Sequence, residues 1–123
     1  MITYLEIRDF AIVKDLKADL FPGLNVITGE TGAGKSVIIE AVSMALGARA
    51  DTDYVRRGAD KAVIDLVIDP QDCDISQLLD ELGIPDEVPL IIRREISAQG
   101  RSLCRVNGMP VPLSSLLKLC SRL

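Results

Sequence analysis

Residues 29 to 36 read Gly29-Glu30-Thr31-Gly32-Ala33-Gly34-Lys35-Ser36, a complete G-x-x-x-x-G-K-S pattern. It lies between a short run rich in β-branched residues, Leu24-Asn25-Val26-Ile27-Thr28, and a helix-length segment, Val37 to Leu46, that holds neither Pro nor Gly. Gly47 supplies the expected helix stop. Strand, glycine-rich loop and helix in that order leave few folds open. The glycines admit backbone conformations that a side chain obstructs, so successive N–H groups can curl around an anion. Lys35 adds a point charge within reach of β- and γ-phosphates, and the Ser36 hydroxyl suits Mg²⁺. The following helix aims its positive end at the same anion. These residues therefore predict a nucleoside triphosphate site in an α/β phosphate-loop fold. Lys35 is the candidate catalytic group and Ser36 the candidate metal ligand.

Two strands are predicted before that loop's own strand. Leu16, Ala18 and Leu20 alternate with Asp15, Lys17 and Asp19, a period of two with one wet face, as an antiparallel strand shows. Pro22-Gly23 marks the turn into the next strand. The helix after the loop is apolar nearly all round, broken only by Glu40 and Ser43, which predicts burial on most sides. A loop with two arginines, Tyr54 to Lys61, leads to an alternating strand over 62–69. A short helix follows, with Ile75, Leu78, Leu79 and Leu82 in helical register, ended by Gly83 and Pro85. Residues 89–108 read as a hairpin turning at Ala98-Gln99-Gly100-Arg101, and Asn107-Gly108 is a further tight turn. Pro110 and Pro112 lead into a helical pattern from Leu113 to Cys120.

Composition fits an ordinary globular chain, 48% hydrophobic and 26% charged over 123 residues. The expected organisation is one domain, residues 1–123, containing the nucleotide-binding residues. The last helical pattern has no C-cap, which predicts a fragment of a longer protein. No apolar run reaches a membrane span and the N-terminus has no signal-like core, so a cytoplasmic protein with no membrane partner is expected. Cys73, Cys104 and Cys120 show no metal spacing, and the sequence has no histidine. Free thiols in a reducing compartment are expected.

The net charge of −4 conceals an asymmetry, −9 before residue 93 and +5 from there on. The basic residues at that end are Arg93, Arg94, Arg101, Arg105, Lys118 and Arg122. Such an end suits phosphate neutralisation on nucleic acid, or arginines paired with acids elsewhere in the fold. It contains no aromatic residue for base stacking.

The ordered set ITYLEIRDFAIV (2–13), GLNVITGETGAGKS (23–36), VRRGADKA (55–62), RREISAQGRS (93–102) and VNGMPVPLSSL (106–116) resembles the SMC-like branch of the ABC ATPases. The resemblance covers essentially the whole chain. It implies the N-terminal lobe of an ATPase head, a mixed sheet with antiparallel strands around a buried helix after the phosphate loop. It implies ATP and Mg²⁺ as cofactors, with contacts from Gly29, Glu30, Thr31, Gly32, Ala33, Gly34, Lys35, Ser36 and Val37. Arg56, and less directly Arg57, would approach the base or ribose. Two departures stand out. Val37 offers only a backbone N–H where many relatives carry a hydroxyl, and Ala11 follows Phe10 where sister repair ATPases place an arginine. The implied function is recombinational repair of DNA double-strand breaks in a bacterial, nucleoid-associated protein. DNA, a second ATP-engaged copy and recombination proteins would be its partners. Signature-motif residues and the catalytic Asp-Glu pair would come from a C-terminal lobe beyond a coiled coil, so this lobe alone would not hydrolyse ATP. Two other readings stand beside it. One is a self-contained small kinase or GTPase with Asp69 holding Mg²⁺; the other is a non-enzymatic nucleic-acid-binding module.

Overall fold

The computed structural model describes residues 2–11, 13–21, 24–27, 40–49, 52–69, 75–85 and 89–121. Its strands are β1 (Ile2–Phe10), β2 (Val13–Phe21), β3 (Leu24–Ile27), β4 (Lys61–Ile68), β5 (Leu90–Ser97), β6 (Ser102–Val106) and β7 (Met109–Val111). Helix α1 is described over 40–45, α2 is Ser76–Leu82 and α3 is Leu113–Cys120, with a single 3₁₀ turn at Thr52–Tyr54. The described strands form one sheet in the order β3-β2-β1-β4-β5-β6-β7. All six pairings are antiparallel. The mixed sheet that the resemblance implies thus shows no parallel pairing among the described strands.

Alternation along the strands decides which face is wet. Leu5 and Ile7 on β1, Leu16 on β2, Ala62, Ile64, Leu66 and Ile68 on β4, and Leu90, Ile92 and Ile96 on β5 are all buried. Ala41, Met44 and Ala45 of α1, Leu78 and Leu79 of α2, and Leu116 and Leu119 of α3 join them in one core. The helices thus cover one face of the sheet. As the α1 sequence predicts, Glu40 and Ser43 are the exposed positions among its described residues. The other face carries ion pairs between neighbouring side chains. Arg93 meets Asp65 at 2.6 and 3.0 Å, Arg8 meets Glu6 at 2.7 Å and Lys61 meets Glu95 at 3.2 Å. The hydrogen bond that Arg8 donates to Glu6, then the Glu6 charge, raises the pKa of Arg8, and Asp65 does the same for Arg93.

Two features differ from the sequence expectation. Residues 109–111 form a strand, although Pro110 there reads as a breaker. β7 is the outermost strand beside β6, where a residue without an N–H is tolerated. The basic C-terminal end is also dispersed. Arg93 is spent on Asp65, Arg94 is 1% exposed inside the core, and Arg101 sits in the β5–β6 turn while Arg105 lies on the outer face. Arg122 lies outside the described residues. Arg93 and Arg105 lie opposite each other on the outer face beside Glu6 and Asp65, so the described charges there are interleaved with acids, while Arg94 and Arg101 stand elsewhere.

Candidate nucleotide site

Residues 29–36 and Val37 lie outside the described residues, and the surrounding elements define where they attach. β3 delivers the chain to them at Ile27. Register then fixes direction. Ile27 lies opposite Ala18, Ala18 opposite Leu5 and Leu5 opposite Leu66. β3 starts near the rim where Ile2 pairs with Ile68, and Ile68 with Leu90. It runs toward the rim where Phe10 pairs with Val13 and Lys61 with Ser97.

That second rim holds Arg56. The segment before Arg56 is fastened to the β1–β2 turn by main-chain bonds. The Arg56 N–H donates to the Asp9 carbonyl at 2.8 Å, the Ala11 N–H donates to the Tyr54 carbonyl, and Phe10 and Val55 form an isolated antiparallel bridge. Phe10 and Tyr54 stack at a centroid separation of 5.0 Å and an interplanar angle of 13°, a geometry that adds to simple area burial. Asp9 and Ala11 take φ of +51° and +53°, a left-handed region that costs L residues energy and persists where surroundings enforce it. The Arg56 guanidinium lies 3.8 Å from the Asp9 carboxylate, both side chains more than a third exposed. Arg57 and Gly58 then turn outward, with φ +89° at Gly58. The β5–β6 turn reaches the same rim, where the Ala98 N–H donates to the Asp60 carbonyl at 2.8 Å.

The site thus has an aromatic-stapled frame that spacing alone did not reveal. The Asp9-Phe10 pair and Tyr54 were visible, but their contact spans more than 40 positions of chain. Ala11, in place of an arginine, contributes only its backbone N–H.

Asp69 fails as a Mg²⁺ ligand for residues 29–36. β4 runs opposite to β3, so Asp69, just past the end of β4, emerges at the rim where β3 begins. A magnesium-holding aspartate has to leave its strand on the side where the phosphate loop leaves. The small-kinase or GTPase reading built on Asp69 is corrected accordingly.

The C-terminal end of α1 is closed as Gly47 predicts. Gly47 has φ +116°. The Ala48 N–H donates to the Ser43 carbonyl and the Gly47 N–H to the Met44 carbonyl, at 3.0 and 3.1 Å, the paired bonds of a Schellman motif. A β-carbon at Gly47 would stand 2.5 Å from Leu117 Cδ2, so α3 packs directly on this helix end. Among the described residues no helix is long and apolar enough to cross a membrane.

Known proteins agree with this architecture. DNA repair protein RecN of Halalkalibacterium halodurans is 39% identical over 122 residues, and that of Vibrio cholerae 42% over 120 residues. Each match covers 97% of this chain but 21% and 22% of the relative, so the chain spans about a fifth of their length. A structure from work on the ATP-driven dimerisation and DNA-stimulated activation of SMC ATPases superposes with a TM-score of 0.71 at 24% identity. It covers 98% of this chain and 78% of the other. The recombination mediator RecF with a bound ATP analogue superposes with a TM-score of 0.69 at 17% identity, over 95% of this chain and 29% of RecF. A family model described as AAA domain matches residues 4–102. With that match covering most of its length, this chain belongs to the AAA domain family, and its fold is that of the N-terminal lobe of an SMC-type phosphate-loop ATPase head.

Proposed function

We propose that this chain is the ATP-binding lobe of a longer, RecN-like ATPase that acts in recombinational repair of DNA double-strand breaks. The observation that supports the reading is the direction of β3, which ends at Ile27 running toward the rim that holds the stapled Arg56 loop. The near-complete matches to DNA repair protein RecN support the repair context.

The donor set fits magnesium–ATP. Gly29 to Ser36 offer backbone N–H groups, the Lys35 ammonium and the hydroxyls of Thr31 and Ser36, the chemistry a triphosphate with its metal requires. Lys35 would draw off charge developing at the β–γ bridge, and Ser36 would hold Mg²⁺, which neutralises phosphate oxygens when bound. Arg56 would lie against the base or ribose, its planar guanidinium suited to stacking. Glu30, although a carboxylate in the loop, is assigned only a backbone contact. The water-activating carboxylate and the signature residues come from segments beyond this lobe, and ATP joins two heads. DNA is engaged by the full-length protein. The expected location is the bacterial cytoplasm.

The test uses the full-length chain. Lys35→Ala should abolish ATP-driven pairing of heads, read by light scattering, while leaving the circular dichroism spectrum intact. Pairing that persists would remove the role given to Lys35. Steady ATP turnover by residues 1–123 alone would overturn the divided site.

A further inference from the structure

Arg94 occupies a position in β5 that alternation assigns to the core, in phase with Leu90, Ile92 and Ile96. It is 1% exposed, the one charged side chain buried among the described residues. A buried guanidinium is costly unless its donors are met. Here Nη1 donates to the carbonyls of Met44 and Ala48, at 2.6 Å each, and Nε donates to Ser102 Oγ at 3.1 Å. Its partners among the described residues are neutral oxygens. Two of them belong to the last turn of α1 and the residue beyond Gly47, where the helix dipole is negative. The charge is therefore answered by a helix end.

Apolar packing of Ala41, Met44 and Ala45 holds α1 against the sheet but is non-directional. The Schellman bonds are internal to α1 and its exit, and Leu117 presses on Gly47 from α3. Among the described residues, Arg94 is the side chain that ties α1 and its exit by hydrogen bonds to the sheet, across 46 and 50 positions of sequence. We infer that Arg94 is a positioning residue that sets where α1 stands along its axis, and thereby where residues 29–36, just ahead of α1 in the chain, meet the nucleotide phosphates. The inference rests on the ATP-binding reading above. Glu40, where the described part of α1 begins, follows Ser36 by only four positions, so an axial shift of α1 reaches the loop through a short span of chain. Phosphate recognition is sensitive to such shifts, because displacements of about 1 Å remote from the reacting atoms degrade catalysis.

The experiment measures Mg–ATP affinity of the full-length protein with a fluorescent ATP analogue, alongside thermal melting. Titrations are run well below the melting temperature of every variant. Arg94→Met should weaken binding about three- to tenfold, and Arg94→Lys, which keeps a cation and several donors, should recover most of that loss. Ser102→Ala removes a bond that does not reach α1, so it should lower melting while leaving affinity within twofold of the original. A purely structural role for Arg94 predicts lower melting for both Arg94 variants and unchanged affinity of the folded protein, and that result overturns the inference. If Arg94→Met does not fold, Arg94→Gln, which keeps a neutral donor but not the cation, decides. A loss of about twofold or more, beside an unaffected Ser102→Ala, supports the inference, and unchanged affinity overturns it. If the unsubstituted protein binds no Mg–ATP, or Lys35→Ala binds it as well as the unsubstituted protein, the ATP-binding reading itself fails.

Discussion

Asn107 shows how much one side chain can fix at a turn. It takes φ +51° ahead of Gly108 at φ +82°, the pairing of left-handed residues that a tight two-residue hairpin requires. Its Oδ1 accepts the Ile91 N–H at 2.9 Å and its Nδ2 donates to the Pro85 carbonyl at 2.9 Å. One residue therefore ties β5, the β6–β7 tip and the segment after α2. Asn107→Ala should lower stability by about 1–3 kcal/mol in urea melts, because bonds are lost and a β-carbon remains at positive φ. Asn107→Gly should lose less, since glycine relieves the backbone. Arg93 and Arg94 make a second residue-scale contrast. Adjacent in sequence, they point to opposite faces of β5. The exposed pair with Asp65 is of a kind worth about 1 kcal/mol or less, whereas Arg94 organises the core side. The in-phase position of Arg94 with Leu90, Ile92 and Ile96 was legible in the sequence. Its partners were not, because Met44 and Ala48 approach it only through the packing of α1 on the sheet.

At the scale of elements, most strands and helices could be read directly. Period-two alternation located β4, and Gly83 closed α2 with φ +71°, again with bonds to the Leu79 and Asp80 carbonyls. What escaped was β7, where proline statistics outweighed the hairpin signal of Asn107-Gly108. Likewise hidden was the staple between Phe10 and Tyr54, a contact between distant segments with no local sequence signature. Gly47 gives a test of how closely α1 and α3 are packed. Gly47→Ala places a β-carbon at φ +116° and 2.5 Å from Leu117. It should cost about 1–3 kcal/mol. Gly58→Ala, also at positive φ but with open space around it, should cost about 1 kcal/mol. Thermal melts of the two variants should rank them in that order.

For the whole molecule, the thiols give a pH dependence. Burial raises the Cys104 pKa, and burial followed by the nearby Cys104 raises Cys120 to about 11. In the unfolded chain both ionise near 9.0. Their folded pKa values are raised, so their contribution to stability is complete below pH 9 and is lost as pH rises toward about 11. Denaturant midpoints should fall across that window, and replacing Cys120 with Ala should flatten the decline. Cys73 lies outside the described residues.

Neighbouring strands here run in opposite directions, so successive connections emerge at opposite ends of the sheet. The Arg56 turn and the tip at 98–101 lie at the end toward which β3 runs, and the Asn107-Gly108 tip sits at the other with Asp69. A dye carried at the exposed Met109 position beside that tip should therefore register denaturation while staying silent to nucleotide.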